Sequence, residues 1–157
     1  MSNSYRDLIA WRTAIELALS VYRVTESLPK HELYGLSSQL RRAVVSVPSN
    51  IAEGQARNSR GEFRQFLAMA KGSLVEAETQ LLIASRLGYI PASSYEELTQ
   101  QCDRVSRLLN GLLRSLTSPS AGFQEMENEK RETRNEKLGD EKRETRNEKP
   151  RKRGASA

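Results

Sequence analysis

The sequence predicts an all-α protein, an antiparallel up-down-up-down four-helix bundle with a kinked second helix. Three observations carry this expectation. In four successive segments between residues 7 and 117, apolar residues recur at the three-and-four spacing that lays one stripe along a helix. Short links between segments of similar length make each helix run antiparallel to the one before. The fourth segment places Leu98, Cys102, Val105, Leu109, Leu112 and Leu116 at alternating spacings of four and three, the seam of a left-handed bundle or coiled coil.

Helix 1 starts at Asp7, read as its cap, and carries Leu8, Trp11, Ile15, Ala18 and Tyr22 on one stripe. Leu17, Val21, Val24 and Leu28 form a second stripe beside it, and Pro29 stops the helix near Leu28. Helix 2 carries Leu36, Leu40, Val44, Val47 and Ile51 and ends near Arg57. Within it, Pro48 has no amide for the Val44 carbonyl, so the helix must kink or break; the stripe resumes in phase beyond the proline, which favours one kinked helix.

Ser59-Arg60-Gly61-Glu62 reads as a capping box opening helix 3, whose core positions are Phe63, Leu67, Ala70, Leu74, Ala77, Leu81 and Ala84, with Gly88 as its stop. A second box, Ser93-Ser94-Tyr95-Glu96, is expected to open helix 4. The bundle thus occupies residues 1–118.

Residues 119–157 are different in kind. They hold one residue among Leu, Ile and Val, namely Leu138, and the nine residues EKRETRNEK at 129–137 recur unchanged at 141–149. Such a segment buries too little surface to offset its chain entropy and is expected to be a disordered, charged, low-complexity tail.

Of the 25 Lys and Arg residues, 14 lie in 1–118 and 11 beyond; the 20 acidic residues divide as 11 and 9, giving +3 and +2 of the +5 total. This modest basicity, with a pI near 9.6, points toward polyanionic partners without specifying one. No apolar run reaches membrane-spanning length, the N-terminus lacks a signal-like segment, and a single cysteine excludes an internal disulfide. A cytoplasmic protein is expected.

Catalytic chemistry finds no support. A di-iron carboxylate site needs a Glu-x-x-His motif from each of two helices, and the chain has one histidine, His31, in a predicted link. Cys102 sits on a core seam, and Gly54, Gly61 and Gly72 are too isolated to form a phosphate-binding loop. Neither a metal, a cofactor nor an enzymatic activity is expected.

Charge placement remains. Arg41 and Arg42 adjoin on helix 2, Arg57, Arg60 and Arg64 gather at the helix 2 to helix 3 junction, and Lys71 follows one heptad after Arg64. Arg104, Arg107 and Arg114 align with Gly111 on helix 4. Such stripes can track phosphates; they are also what ordinary solvated helix faces look like when Glu62 and Asp103 stand nearby.

A four-helix bundle uses one stripe per helix, so Leu17, Val21 and Val24 on helix 1 and Ala68, Val75 and Leu82 on helix 3 are left over. Together they predict a homo-oligomer interface, the alternative being that such wide stripes only reflect deep burial within one bundle; assembly would merge weak basic patches into a continuous one.

The runs Asp7-Leu8-Ile9-Ala10-Trp11, Tyr34 through Ala43, Val47-Pro48-Ser49-Asn50-Ile51-Ala52-Glu53-Gly54, and Gly72-Ser73-Leu74 with Glu76 resemble the four-helix-bundle proteins encoded in 23S rRNA intervening sequences. The likeness spans about residues 5–117. It implies a helix kinked at Pro48 and a ring-like homopentamer. The chain is also similar to the accessory variability protein of diversity-generating retroelements, a basic pentameric bundle that binds nucleic acid and a reverse transcriptase. The expected function is that of a non-catalytic, oligomeric RNA- or DNA-binding protein; the alternative is an oligomeric protein-interaction scaffold without a nucleic-acid role.

Overall fold

The computed structural model describes residues 4–57 and 59–117. The chain divides into two units between Thr117 and Ser118, and the repeated tail expected over 119–157 lies outside the described residues. A 3-10 turn, Tyr5–Asp7, leads into α1 (Ile9–Thr25); a second, Lys30–Glu32, precedes α2 (Leu36–Ala56), followed by α3 (Arg60–Arg86) and α4 (Ala92–Thr117). There is no strand among the described residues.

Contacts at the helix ends fix the directions. Arg41 near the start of α2 reaches Thr25 at the end of α1. Gly54 near the end of α2 lies against Phe63 and Phe66 near the start of α3, and Arg60 opening α3 reaches Ser115 near the end of α4. Asp7–Ala10 share a cavity with Arg107, Leu108, Gly111 and Leu112. Each helix therefore runs against its neighbours, and α1 closes on α4.

The ends of the helices show how local chemistry sets their bounds. Ser4, rather than Asp7, caps the N-terminal turn, its hydroxyl accepting from the Arg6 amide; Asp7 lies inside that turn and α1 begins two residues later. At the other end α1 stops at Thr25, ahead of Leu28: the amides of Glu26, Ser27 and Leu28 donate three residues back, to the Arg23, Val24 and Thr25 carbonyls, in place of the four-residue bonds of the α-helix. Helix α2 passes through Pro48 without a break. Just beyond the carbonyl that Pro48 leaves unpaired, Ser49 Oγ donates to the Val45 carbonyl and Asn50 Nδ2 to that of Ser46.

Ser59 caps α3, its hydroxyl accepting from the Glu62 amide at 3.4 Å, which is the serine half of the expected box. Gly88 at φ +73 closes the helix: its amide donates to the Ser85 carbonyl and that of Tyr89 to Ala84, the paired bonds of a Schellman stop. The second capping box is not used. Helix α4 begins at Ala92, with the Pro91 carbonyl accepting from the Tyr95 amide, so Ser93 already lies in the first turn.

One dry interior is formed by Leu17 and Val21 of α1, Leu40, Val44, Val47 and Ile51 of α2, Leu67, Leu74 and Leu81 of α3, and Cys102, Val105 and Leu109 of α4. This corrects the reading of helix 1. Leu17 and Val21 have no exposed surface, so these two belong to the protomer's own core and cannot cover a second copy, while Val24 packs half-buried at its edge. The buried seam is Ala10, Ala14, Leu17, Val21 and Thr25 of α1, continued by Leu28 just beyond its end, at spacings of four, three, four, four and three. Small alanines let the helix approach its neighbours. Trp11 and Tyr22, which carry a polar atom at one end, stay at the rim.

Candidate nucleic-acid interface

The structure sorts the basic residues by what they touch. Arg41 is half-buried; its Nε donates to Thr25 Oγ1 at 2.8 Å and its guanidinium lies 4.7 Å from the Tyr22 ring centre, so it fastens α2 to α1. Arg57 pairs with Glu53 at 2.6 Å and lies over the Phe66 ring. That hydrogen bond and the Glu53 charge hold its guanidinium above the usual arginine range, with Glu62 adding to the effect. Arg60 donates to the Ser115 carbonyl at 3.2 Å. At the α2 to α3 junction, then, Arg57 and Arg60 are held by other parts of the bundle.

Arg42, Arg64, Arg104 and Arg107 are exposed, and no carboxylate lies within ion-pair distance of any of them among the described residues. Lys71 is half-buried, and Arg114 is exposed on the last turns of α4. Arg104, Arg107, Gly111 and Arg114 lie opposite the buried seam of Leu98, Cys102, Val105 and Leu109, as their spacing requires. The α4 stripe read from sequence is therefore an outward-facing surface.

Beside that stripe the α1–α4 seam is open. A cavity of about 430 Å³ is lined by Asp7, Leu8, Ile9 and Ala10 with Arg107, Leu108, Gly111 and Leu112. A second, of about 610 Å³, is lined by residues that include Trp11, Arg12 and Glu16 from α1 with Gln101 and Arg104 from α4. Arg12 donates to the Asp7 carbonyl at 2.9 Å, and Trp11 meets Tyr5 edge-on at 5.2 Å between ring centres, with Arg6 over the Tyr5 ring. Sequence reasoning missed Arg12 and this aromatic group. The available signal was the pair Trp11-Arg12 on the flank of helix 1, once the alanine seam is taken as the core.

Of the two apolar series expected at an interface, the one on α3 lies on the surface. Ala68 is exposed there, as are Val75 at 57% and Leu82 at 39%, and Met69 and Ile83 are exposed beside them. Between α3 and α4, Val75, Leu82 and Tyr95 border a groove that also holds Glu78 and Asp103. Partial burial, with the Asp103 charge adding to it, raises the Glu78 carboxyl above its ordinary value.

Cys102 is wholly buried, and burial, followed by the Glu78 and Asp103 charges, pushes its thiol up to about 12. A thiol so weakly acidic stays protonated at neutral pH and packs as a small apolar group. Among the described residues, no group of three His, Cys, Asp or Glu side chains is placed to hold a metal ion, and no helix is long and apolar enough to cross a membrane.

Comparison with known proteins places this bundle. A crystal structure of a protein of unknown function from the S23 ribosomal protein family of Bacteroides thetaiotaomicron matches it with a TM-score of 0.63 at 24% identity, covering 67% of this chain and 98% of that one. At that identity the likeness speaks for the fold. No curated protein matches the chain. The family model described as 23S rRNA-intervening sequence protein matches residues 6–111, which include all of α1, α2 and α3 and most of α4. The chain belongs to the 23S rRNA-intervening sequence protein family.

Proposed function

We propose that this protein is a non-catalytic, oligomeric nucleic-acid-binding protein of the cytoplasm whose ligand is RNA. The observation that carries the reading is the outward α4 stripe, in which Arg104 and Arg107 stand exposed with no carboxylate within ion-pair distance among the described residues. Cations left unpaired on a rigid helix gain from phosphate through counterion release and give up no existing ion pair in doing so. Arg42 and Arg64 are secondary contacts. Arg41, Arg57 and Arg60 serve the fold, and assembly of several copies repeats the stripe around the oligomer.

Filter binding to fragments of ribosomal RNA at two salt concentrations tests the reading. Affinity that falls as salt rises supports it. Affinity that is absent at low salt, or indifferent to salt, refutes it.

The apolar face of α3 favours a second reading, an oligomeric scaffold for another protein. Ala68, Val75 and Leu82 present a stripe without charge, which suits a protein surface better than a polyanion. The two readings need different faces of the bundle.

A further inference from the structure

We infer that the cleft between α1 and α4, from Asp7 and Gly111 to Ser20 and Gln101, is a track for a single-stranded polynucleotide. The inference rests on the nucleic-acid-binding reading above and deepens it by naming the site and the form of the ligand. Two cavities of about 430 and 610 Å³ follow one another along this seam. Arg107 lines the first, and Arg104 from α4 and Arg12 from α1, the latter held by its bond to the Asp7 carbonyl, line the second. Leu8, Ile9, Ala10, Leu108 and Leu112 supply apolar wall in the first, and Trp11 contributes to the wall of the second.

Cations bordering apolar surface match the chemistry of a single strand, whose phosphates and unstacked base faces are presented together. A double helix offers phosphates on a broad convex surface and keeps its base faces stacked away. The cleft runs between two adjacent helices of one bundle and does not admit one.

Charge marks where the track ends. The cavity beyond Ser20 is lined by one arginine, Arg23, and one carboxylate, Glu97, and so offers a polyanion no net attraction. Between Asp7 and Gln101 the lining holds three arginines against two carboxylates, Asp7 and Glu16, and the exposed Arg114 extends the α4 stripe about 15 Å from Arg104 at 1.5 Å per residue.

Trp11 is the only tryptophan in the chain, so its emission reports on this cleft directly. The test uses the full-length protein and a short mixed-sequence RNA. Binding is followed by anisotropy of the labelled strand and separately by Trp11 emission with the unlabelled strand, each repeated with the corresponding duplex. The expected result is saturable quenching of Trp11 by the single strand at the concentrations where anisotropy rises, and little by the duplex. In the double variant Arg104→Gln, Arg107→Gln, the slope of log K against log salt should shrink by about 1.4, since each phosphate contact to a single strand contributes about 0.7. Helix content by circular dichroism checks that the variant is folded.

Single-strand binding that leaves Trp11 emission unchanged, or an unaltered slope in the folded variant, overturns the track while leaving nucleic-acid binding in place. A duplex that quenches Trp11 as strongly overturns the single-strand assignment. No binding of either form at low salt overturns the underlying reading as well.

Discussion

Gly54 offers a test in which helix propensity and packing point in opposite directions. It is buried near the end of α2, and a Cβ added there would stand 2.6 Å from Phe66 Cβ and 2.9 Å from Phe63 Cδ2. Phe63 can turn its ring, but Phe66 Cβ is bonded to the α3 backbone and moves only if the two helices separate. In an open helix interior, Gly→Ala stabilises by about 1 kcal/mol. Overpacking a well-packed contact costs about 1–3 kcal/mol, and a backbone-anchored neighbour puts this site at the upper end. Gly54→Ala should therefore destabilise the bundle by about 2 kcal/mol. Gly72 in α3 and Gly111 in α4 are the controls, because a Cβ at either meets nothing within 4 Å. Gly72→Ala and Gly111→Ala should each stabilise by up to about 1 kcal/mol. Urea unfolding of the three variants at one fixed protomer concentration measures the differences and holds any contribution from assembly constant. A Gly54→Ala variant as stable as the Gly72→Ala variant would refute the claim that α2 and α3 meet backbone to side chain at this point.

Leu17→Ala should lower stability by about 2–5 kcal/mol in denaturant unfolding, as a core truncation does, whereas Leu82→Ala should leave protomer stability within about 0.5 kcal/mol and shift sedimentation toward smaller species. Arg41→Ala should lower the melting temperature and leave RNA affinity unchanged; Arg107→Gln should do the reverse. Glu16→Gln should tighten RNA binding in a low-salt titration, since it removes a carboxylate from the cleft. The Cys102 thiol is raised in the folded state from 9.0 to about 12, so between these values the unfolded chain loses a proton that the folded chain keeps. Stability should then fall as pH rises through that window, by up to about 1.4 kcal/mol per pH unit from this group, and the wild type should lose more than Cys102→Ala in parallel melts.

Much of the fold was legible because its signals are local. Ser59, Gly88 and the apolar series of α2, α3 and α4 each act within a turn or two of helix, and the structure uses them as read. Helix 1 was misread because its seam begins with Ala10 and Ala14, whose apolar signal is weak beside Trp11, Ile15 and Tyr22 on the flank. Volume in a sequence marks hydrophobicity; closeness of packing is often set by the small residues. The site was less legible for a different reason. Arg41 is engaged by Thr25, sixteen residues away, and Arg60 by Ser115, fifty-five away, and no local pattern carries partners at such distances. The Glu53–Arg57 pair, at the i,i+4 spacing, is within reach of sequence alone.

Side-chain volume is unevenly spent around the bundle: α2 and α3 are the most closely packed pair, drawn together where Gly54 takes the Phe63 and Phe66 rings against its backbone. Helices α1 and α4 pack least, and cavities follow their seam. Because Trp11 and Arg12 sit on the flank of α1 instead of in the core, they border that opening, and because Arg104 and Arg107 are not consumed in ion pairs within the described bundle, they remain available on its other side. Closing the cleft should therefore remove RNA affinity without touching a single arginine. Gly111 lines its first cavity, and a Cβ there meets nothing within 4 Å, so the side chain of Gly111→Trp starts from open space at the cavity wall and away from the core seam. A folded Gly111→Trp variant that bound RNA as tightly as the parent would show that the arginines act from the open surface and that the cleft beside them is incidental.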